Sequence, residues 1–230
     1  METTATIVFD LDGTLVDTAP DLTGAMNRVL RHFGRAELDV AAVRAIVGRG
    51  GRCTIERGLM LTGGVEAAMI DEGLPIFLAH YAENICVGTR VWDGVEAALD
   101  ALSAHRLALC TNKPERLTRL LLDALGWRDR FAAVVGGDTL AVRKPDPLHV
   151  NEAVARAGGL AHLSVFVGDS DVDVAAARAA GLPVVVTGFG YSDTPAAELG
   201  ADAVIDHFDA LTDALRRVAP TIFAQGAAPA

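Results

Sequence analysis

Positive charge is scarce in this chain. Over 230 residues, Lys and Arg together number 20 against 30 Asp and Glu, a formal net charge of -10. A nucleic-acid binder needs a basic face to displace counterions, so this balance argues against one. The same charge repels anionic substrates at long range, and any phosphate site must carry its own local positive charge. Cysteine is sparse too: Cys53, Cys86 and Cys110 are odd in number and lack paired metal-ligand spacing. They fit a reducing compartment better than a disulfide framework. No uninterrupted apolar run approaches the roughly 18–20 residues that span a bilayer. Met1-Glu2-Thr3-Thr4 has neither the basic start nor the apolar core of a signal peptide. The expected setting is the cytoplasm, with neither nucleic acid nor membrane as partner. What the chain has in quantity is apolar side chain, 51% of residues, enough for one large domain or one with a small insert.

Ten residues in, an apolar run ends in Asp10-Leu11-Asp12-Gly13-Thr14-Leu15-Val16-Asp17. The preceding Ala5-Thr6-Ile7-Val8-Phe9 reads as a buried strand of a parallel sheet, short and rich in β-branched residues. Two carboxylates at the end of such a strand are costly, because desolvated like charges repel. A divalent cation is the simplest compensation. Gly13 lets the backbone turn sharply and approach a ligand closely.

From about Thr18 to Cys86 no strand signal occurs. Asp21–Phe33, Asp39–Val47 and Arg52–Leu61 read as helices, and Glu66–Ile85 as a helix kinked or broken at Pro75. This block is too long for an ordinary connection between parallel strands and reads as an insert. After Val91 strands and helices alternate. Asp93 is placed to cap a helix running to about His105, followed by strands at 107–110, 133–135, 165–167, 184–186 and 203–205 with helices between. Such alternation implies a parallel sheet with helices on both faces. The tail Gln225–Ala230 is expected to be disordered.

Ligands of open α/β sheets bind beyond the carboxyl ends of the strands. Asp10 and Asp12 follow the first strand and Thr111 and Asn112 the second. Lys144 and Pro145 come downstream of the third, and Gly168-Asp169-Ser170-Asp171-Val172-Asp173 follows the fourth. Carboxylates, donors and one lysine gathered at one edge suit a dianion and a hard metal. Magnesium needs only one or two carboxylates plus a substrate oxygen. Held by Asp10 and Asp169, it would leave Asp10 free to attack phosphorus and Asp12 to move the proton of the leaving alkoxide. Lys144 would add positive charge and Thr111 a hydroxyl donor. A calcium loop at Asp169, Asp171 and Asp173 is excluded, because Val174 and Ala180 stand where its glycine and glutamate belong. Asp171 reads instead as a helix cap.

Asp10-Leu11-Asp12-Gly13-Thr14, Thr111-Asn112, Lys144-Pro145 and Gly168-Asp169-Ser170-x-x-Asp173 resemble, in order and approximate spacing, the motifs of the haloacid dehalogenase-like hydrolases. The resemblance spans nearly the whole chain. It implies an α/β, Rossmann-like core over residues 1–17 and 87–230, and a mobile α-helical cap over residues 18–86. Its hinges would lie near Asp17-Thr18 and Val87-Gly88. It also implies Asp10 as nucleophile and Asp12 as acid and base. Mg2+ would sit on the Asp10 and Asp169 side chains and the Asp12 carbonyl, with Asp173 supporting its waters or orienting the lysine. Thr111 and Lys144 would bind the phosphoryl group, with Gly13 and Asn112 beside it.

Leu15–Leu22, Val47–Gly51, Thr111-Asn112-Lys113-Pro114, Gly136-Gly137-Asp138 and Gly188-Phe189-Gly190-Tyr191 are similar to the branch of the family that cleaves 2-phosphoglycolate. Hydrolysis of that ester to glycolate and phosphate is therefore the expected activity. Another small phosphate ester (a sugar phosphate, a nucleotide or pyrophosphate) and a phosphomutase stand as alternatives. A carboxylated substrate needs a carboxylate anchor, and Arg49, among flexible glycines, offers a planar fork of suitable geometry. The expected partner is a small phosphate ester, and the expected state a monomer or homodimer.

Overall fold

The computed structural model describes residues 4–223. The expectation of disorder for Gln225–Ala230, and Met1–Thr3 of the leader reading, fall outside them. The strands are β1 (Thr6–Phe9), β2 (Val16–Asp17), β3 (Arg90–Val91), β4 (Arg106–Cys110), β5 (Ala133–Val135), β6 (Ser164–Gly168), β7 (Val184–Thr187) and β8 (Ala203–Ile205). Six of them form one sheet in the order β5-β4-β1-β6-β7-β8, every pair parallel. The chain fills one side of β1 with β4 and β5, then crosses back to lay β6, β7 and β8 on the other. The order reverses at β1, and that reversal opens a crevice beyond its carboxyl end.

Strand periodicity explains the layers. Ile7 and Phe9 join Leu107, Leu109, Val165 and Val167 in one apolar cluster, whereas Val8 joins Ala108, Cys110, Phe166 and Val184 in a second on the opposite face.

The helices before β3 are α1 (Ala19–His32), α2 (Val40–Arg44), α3 (Gly51–Leu61) and α4 (Ala67–Glu83). Those after it are α5 (Val95–Ala101), α6 (Glu115–Ala124), α7 (Pro147–Arg156), α8 (Asp171–Ala179), α9 (Leu211–Val218) and α10 (Pro220–Phe223). The first sheet face is covered by α5, α6 and α9, the second by α7 and α8. Helices α1 to α4 hold a third apolar cluster of their own around Met26, Val29, Ile55, Leu59, Phe77 and Tyr81, to which Leu117 of α6 is added.

Of the kink or break expected at Pro75, the break does not occur: α4 runs through it. Proline removes one backbone hydrogen bond, but Phe77 and Tyr81 beyond it are buried in the third cluster and hold the turn in place. The cap expected at Asp93 is also absent. Gly94 occupies the N-cap in a left-handed conformation, and α5 ends at Ala101, short of His105. The pair β2 and β3, too short to show in the sequence, forms an antiparallel ribbon where the chain enters and leaves the helical block. Asp21 of α1 clamps the returning strand, accepting from the Gly88 and Thr89 backbone N–H groups at 2.7 and 2.8 Å and from the Thr89 hydroxyl at 2.8 Å.

Candidate active site

Asp10 leaves β1 at the point of strand reversal, its backbone N–H still held by the Val167 carbonyl at 2.9 Å. The following turn is tightened by Gly13, at φ +84°, whose N–H bonds the Val16 carbonyl. This turn carries Asp12 outward, where its carboxylate accepts from the Thr18 hydroxyl at 2.7 Å. Sequence reasoning did not assign the second partner of Asp12. Lys113, on the loop after β4, places its ammonium 2.7 and 3.0 Å from the two carboxylate oxygens and donates to the Tyr81 hydroxyl of α4 at 2.7 Å. The signal for Lys113 lay in composition: the chain contains two lysines, Lys113 and Lys144, and every other strong base is arginine.

The same loop buries Thr111 and Asn112. The Asn112 amide nitrogen donates to the Gly48 carbonyl at 3.2 Å and to the Lys144 carbonyl at 3.1 Å, tying the helical block to the core. Lys144 sits at the opposite wall with its ammonium 2.7 Å from Asp173 and 2.9 Å from Asp10. Both oxygens of Asp173 are committed. One takes Lys144, and the other takes the backbone N–H groups of Asp169 and Ser170 and the Ser170 hydroxyl. Ser170 and Asp173 thereby form the capping box of α8, which displaces the expected cap at Asp171. The Ser170 hydroxyl lies in reach of the third helical N–H, and Asp171, one residue further, points to Arg49 instead.

Asp169 is oriented by two donors, the Thr14 hydroxyl and the Tyr191 backbone N–H, each at 2.7 Å. Its pocket is closed by glycines. A Cβ on Gly13 would lie 2.5 Å from an Asp169 oxygen, and one on Gly190 would collide with the Asp169 Cβ itself. Tyr191 also donates its hydroxyl to Asp17 at 2.6 Å, beside the start of α1.

Oxygens of Asp10, Asp169 and Asp173 all lie within 4.8 Å of one another, and all three residues are buried. Burial and the neighbouring carboxylates of Asp173 and Asp12 push the Asp10 carboxyl up to about 6 against the pull of Lys144. Burial, then Asp173 and Asp10, raises Asp169 well above the usual carboxylate range. Burial alone would lower Lys144, but Asp10 and Asp173 outweigh it and hold the ammonium charged. One lysine cannot neutralise three carboxylates. Asp10 Oδ1 is buried, and among the described residues its one close polar neighbour is the Lys144 ammonium, 2.9 Å away and poorly aligned for a hydrogen bond. A hard cation bound through the Asp10 and Asp169 oxygens fits this arrangement: all-oxygen donors, three buried carboxylates, and one ammonium to offset them.

A cavity opens over Asp10 and Asp12, roofed by Leu22, Val47, Phe77 and Leu117, with Thr111, Asn112 and Lys113 in its wall. The structure thus brings together Asp10, Asp12, Gly13, Thr111, Asn112, Lys144, Asp169 and Asp173. It does not bring Arg49 to them. Arg49 pairs with Asp171 at 2.5 Å, half exposed, and lines a separate surface groove with Arg57 and Ser192. Behind the site His149, a break in an apolar sequence pattern, is buried between the Gly136 carbonyl at 2.9 Å and Cys110 Sγ at 3.4 Å. No helix among the described residues is long and apolar enough to cross a membrane.

Residues 4–181 match the haloacid dehalogenase-like hydrolase family. A phosphoglycolate phosphatase of Mesorhizobium japonicum is 46% identical over 209 residues, 90% of this chain and 92% of that protein. One of Rhodospirillum rubrum is 46% identical over 97% of this chain and 96% of its own length. The crystal structure of a predicted phosphoglycolate phosphatase from Haemophilus somnus 129pt superposes with a TM-score of 0.85 at 29% identity, covering 93% of this chain and 98% of that one.

Proposed function

The chain belongs to the haloacid dehalogenase-like hydrolases and is a phosphoric monoester hydrolase, and from that premise we propose that it cleaves 2-phosphoglycolate to glycolate and phosphate with Mg2+. The observation that carries the reading is Asp10, at the strand reversal, beside a buried carboxylate cluster in a chain 46% identical to phosphoglycolate phosphatases over most of its length.

In this mechanism Lys144 and the Thr111 hydroxyl hold the phosphoryl oxygens, placing phosphorus in line with an Asp10 oxygen. Asp10 attacks, the ester bond breaks, and Asp12 gives its proton to the glycolate oxygen. Asp12 then takes a proton from water, which attacks phosphorus and frees Asp10. The Asp10 and Asp169 side chains and the Asp12 carbonyl would hold Mg2+, which would supply positive charge to offset repulsion between carboxylate and phosphoryl oxygens. Asp173 keeps Lys144 aimed. Residues 18–86 serve as the cap, opening and closing about the ribbon of β2 and β3 to exclude and readmit water.

A phosphate-release screen over small esters, with and without Mg2+, tests the reading. It expects 2-phosphoglycolate to give the highest kcat/KM and chelation to abolish release. A sugar phosphate or nucleotide as the best substrate would overturn the substrate, and transfer between sugar hydroxyls without free phosphate would establish a phosphomutase.

A further inference from the structure

Lys113 and Lys144, the two lysines of the chain, are both buried at this site, on different walls. Lys144 lies against Asp10 and Asp173, where a phosphoryl group would be received. Lys113 faces the helical block, and among the described residues it is the one cationic side chain that lines the cavity over Asp10 and Asp12. Arg49, the expected carboxylate anchor, is spent on Asp171 elsewhere. A substrate carboxylate entering this cavity would leave water for a wall of Leu22, Val47, Phe77 and Leu117, a costly transfer without a paired charge and donors.

Lys113 does not stand alone. Its ammonium is 2.7 Å from the Tyr81 hydroxyl, whose oxygen accepts that bond. Burial, then the charges of Asp12 and Asp21, keeps the Tyr81 phenol protonated. Its own O–H proton has no acceptor among the described residues, although Tyr81 is 1% exposed and borders the cavity. An ammonium N–H and a phenol O–H with heavy atoms 2.7 Å apart match the two oxygens of one carboxylate.

We propose that Lys113 and Tyr81 form the carboxylate subsite of the enzyme, with Lys113 keeping one N–H on Asp12 while it and the phenol take the substrate's two carboxylate oxygens. The proposal rests on the phosphoglycolate reading above. Lys113 belongs to the loop after β4 and Tyr81 to α4, so a bound carboxylate would bridge the core and the helical block. Selectivity for a short phosphorylated acid follows from one cation set close to Asp12 in an otherwise apolar roof.

The test uses the Mg2+-loaded protein and two substrates, 2-phosphoglycolate and ethyl phosphate, which carries a methyl group in place of the carboxylate. In Lys113→Met the ratio of kcat/KM for phosphoglycolate to that for ethyl phosphate is expected to fall about 10–100-fold, the size of a charge-assisted hydrogen bond. Tyr81→Phe is expected to lower it less. A second readout needs neither turnover nor a variant that folds. Isotope-labelled lysine gives two side-chain signals in wild-type NMR spectra, and the one that inorganic phosphate leaves in place is that of Lys113. 3-Phosphonopropionate should shift both, and propylphosphonate only that of Lys144. Equal loss on both substrates in Lys113→Met, or equal shifts of Lys113 by both phosphonates, overturns the subsite. A wild type without preference for phosphoglycolate overturns the substrate reading instead.

Discussion

Asp173 accepts a hydrogen bond from Lys144 at 2.7 Å with both side chains out of solvent. The same carboxylate closes the capping box of α8, so one residue anchors a helix and a catalytic ammonium together. Asp173→Ala is therefore expected to lower stability by only about 1 kcal/mol, the size of a lost helix cap, because Lys144 keeps Asp10 as a partner, and to cut kcat more than it raises KM. Urea unfolding and steady-state kinetics check this. An unchanged kcat would show that Asp10 alone keeps Lys144 aimed.

Asp10 gives a pH signature in the metal-free protein. Its carboxyl is pushed up to about 6 from 3.8, chiefly by burial. Between those values the folded state holds more protons than the unfolded chain, so stability falls as pH rises and the penalty is complete above about 6. Asp10→Asn removes this share. Between about pH 4.5 and 7.5, wild type should lose on the order of 2 kcal/mol more than Asp10→Asn in urea titrations without metal. Mg2+ should narrow the gap. Parallel pH dependence of the two proteins would contradict the assigned burial of Asp10.

Gly190 leaves room for Asp169. A Cβ there would collide with that of Asp169, which is fixed by Thr14 and the Tyr191 N–H. Gly190→Ala should weaken Mg2+ activation more than about tenfold, the effect typical of disturbing a ligand's supports, while leaving the Kd for inorganic phosphate less affected. Isothermal titration with metal checks it.

Arg49 and Asp171 form an exposed pair worth at most about 1 kcal/mol, less with salt screening. Arg49→Ala should change KM for phosphoglycolate and ethyl phosphate by the same factor. A rise confined to phosphoglycolate would return carboxylate recognition to Arg49.

Cys110 lies fully buried with its thiol pushed up to about 12 by desolvation. Iodoacetamide near neutral pH should modify the half-buried Cys53 and spare Cys110 until urea unfolds the protein. Mass spectrometry of the labelled peptides reads the difference.

What was legible in the sequence follows from range. The buried runs at 6–9, 107–110 and 164–168 announce parallel strands because both faces are covered, and the polar groups after them fall at one edge by topology alone. Asp10, Asp12, Thr111, Lys144 and Asp169 were legible for that reason. Partners from the helical block were not. Lys113 meets Tyr81 across 32 positions, and Tyr191 meets Asp17 across 174. The first pair depends on how the helical block docks on the sheet and the second on how distant loops of the core meet, neither of which periodicity encodes. Arg49 misled for the same reason, since its glycine-rich setting says nothing of the direction in which the side chain leaves. Pro75 does not break its helix, because packing of Phe77 and Tyr81 overrides a local helix breaker.

The central claim, that Asp10 captures phosphorus, is tested most directly by acid-quenching the enzyme in the first turnover of 2-phosphoglycolate and mapping its peptides by mass spectrometry. The account predicts a phosphoryl group on the peptide carrying Asp10, absent in Asp10→Asn. Turnover at the wild-type rate by Asp10→Asn, or a phosphoryl group found on any other residue, would contradict it.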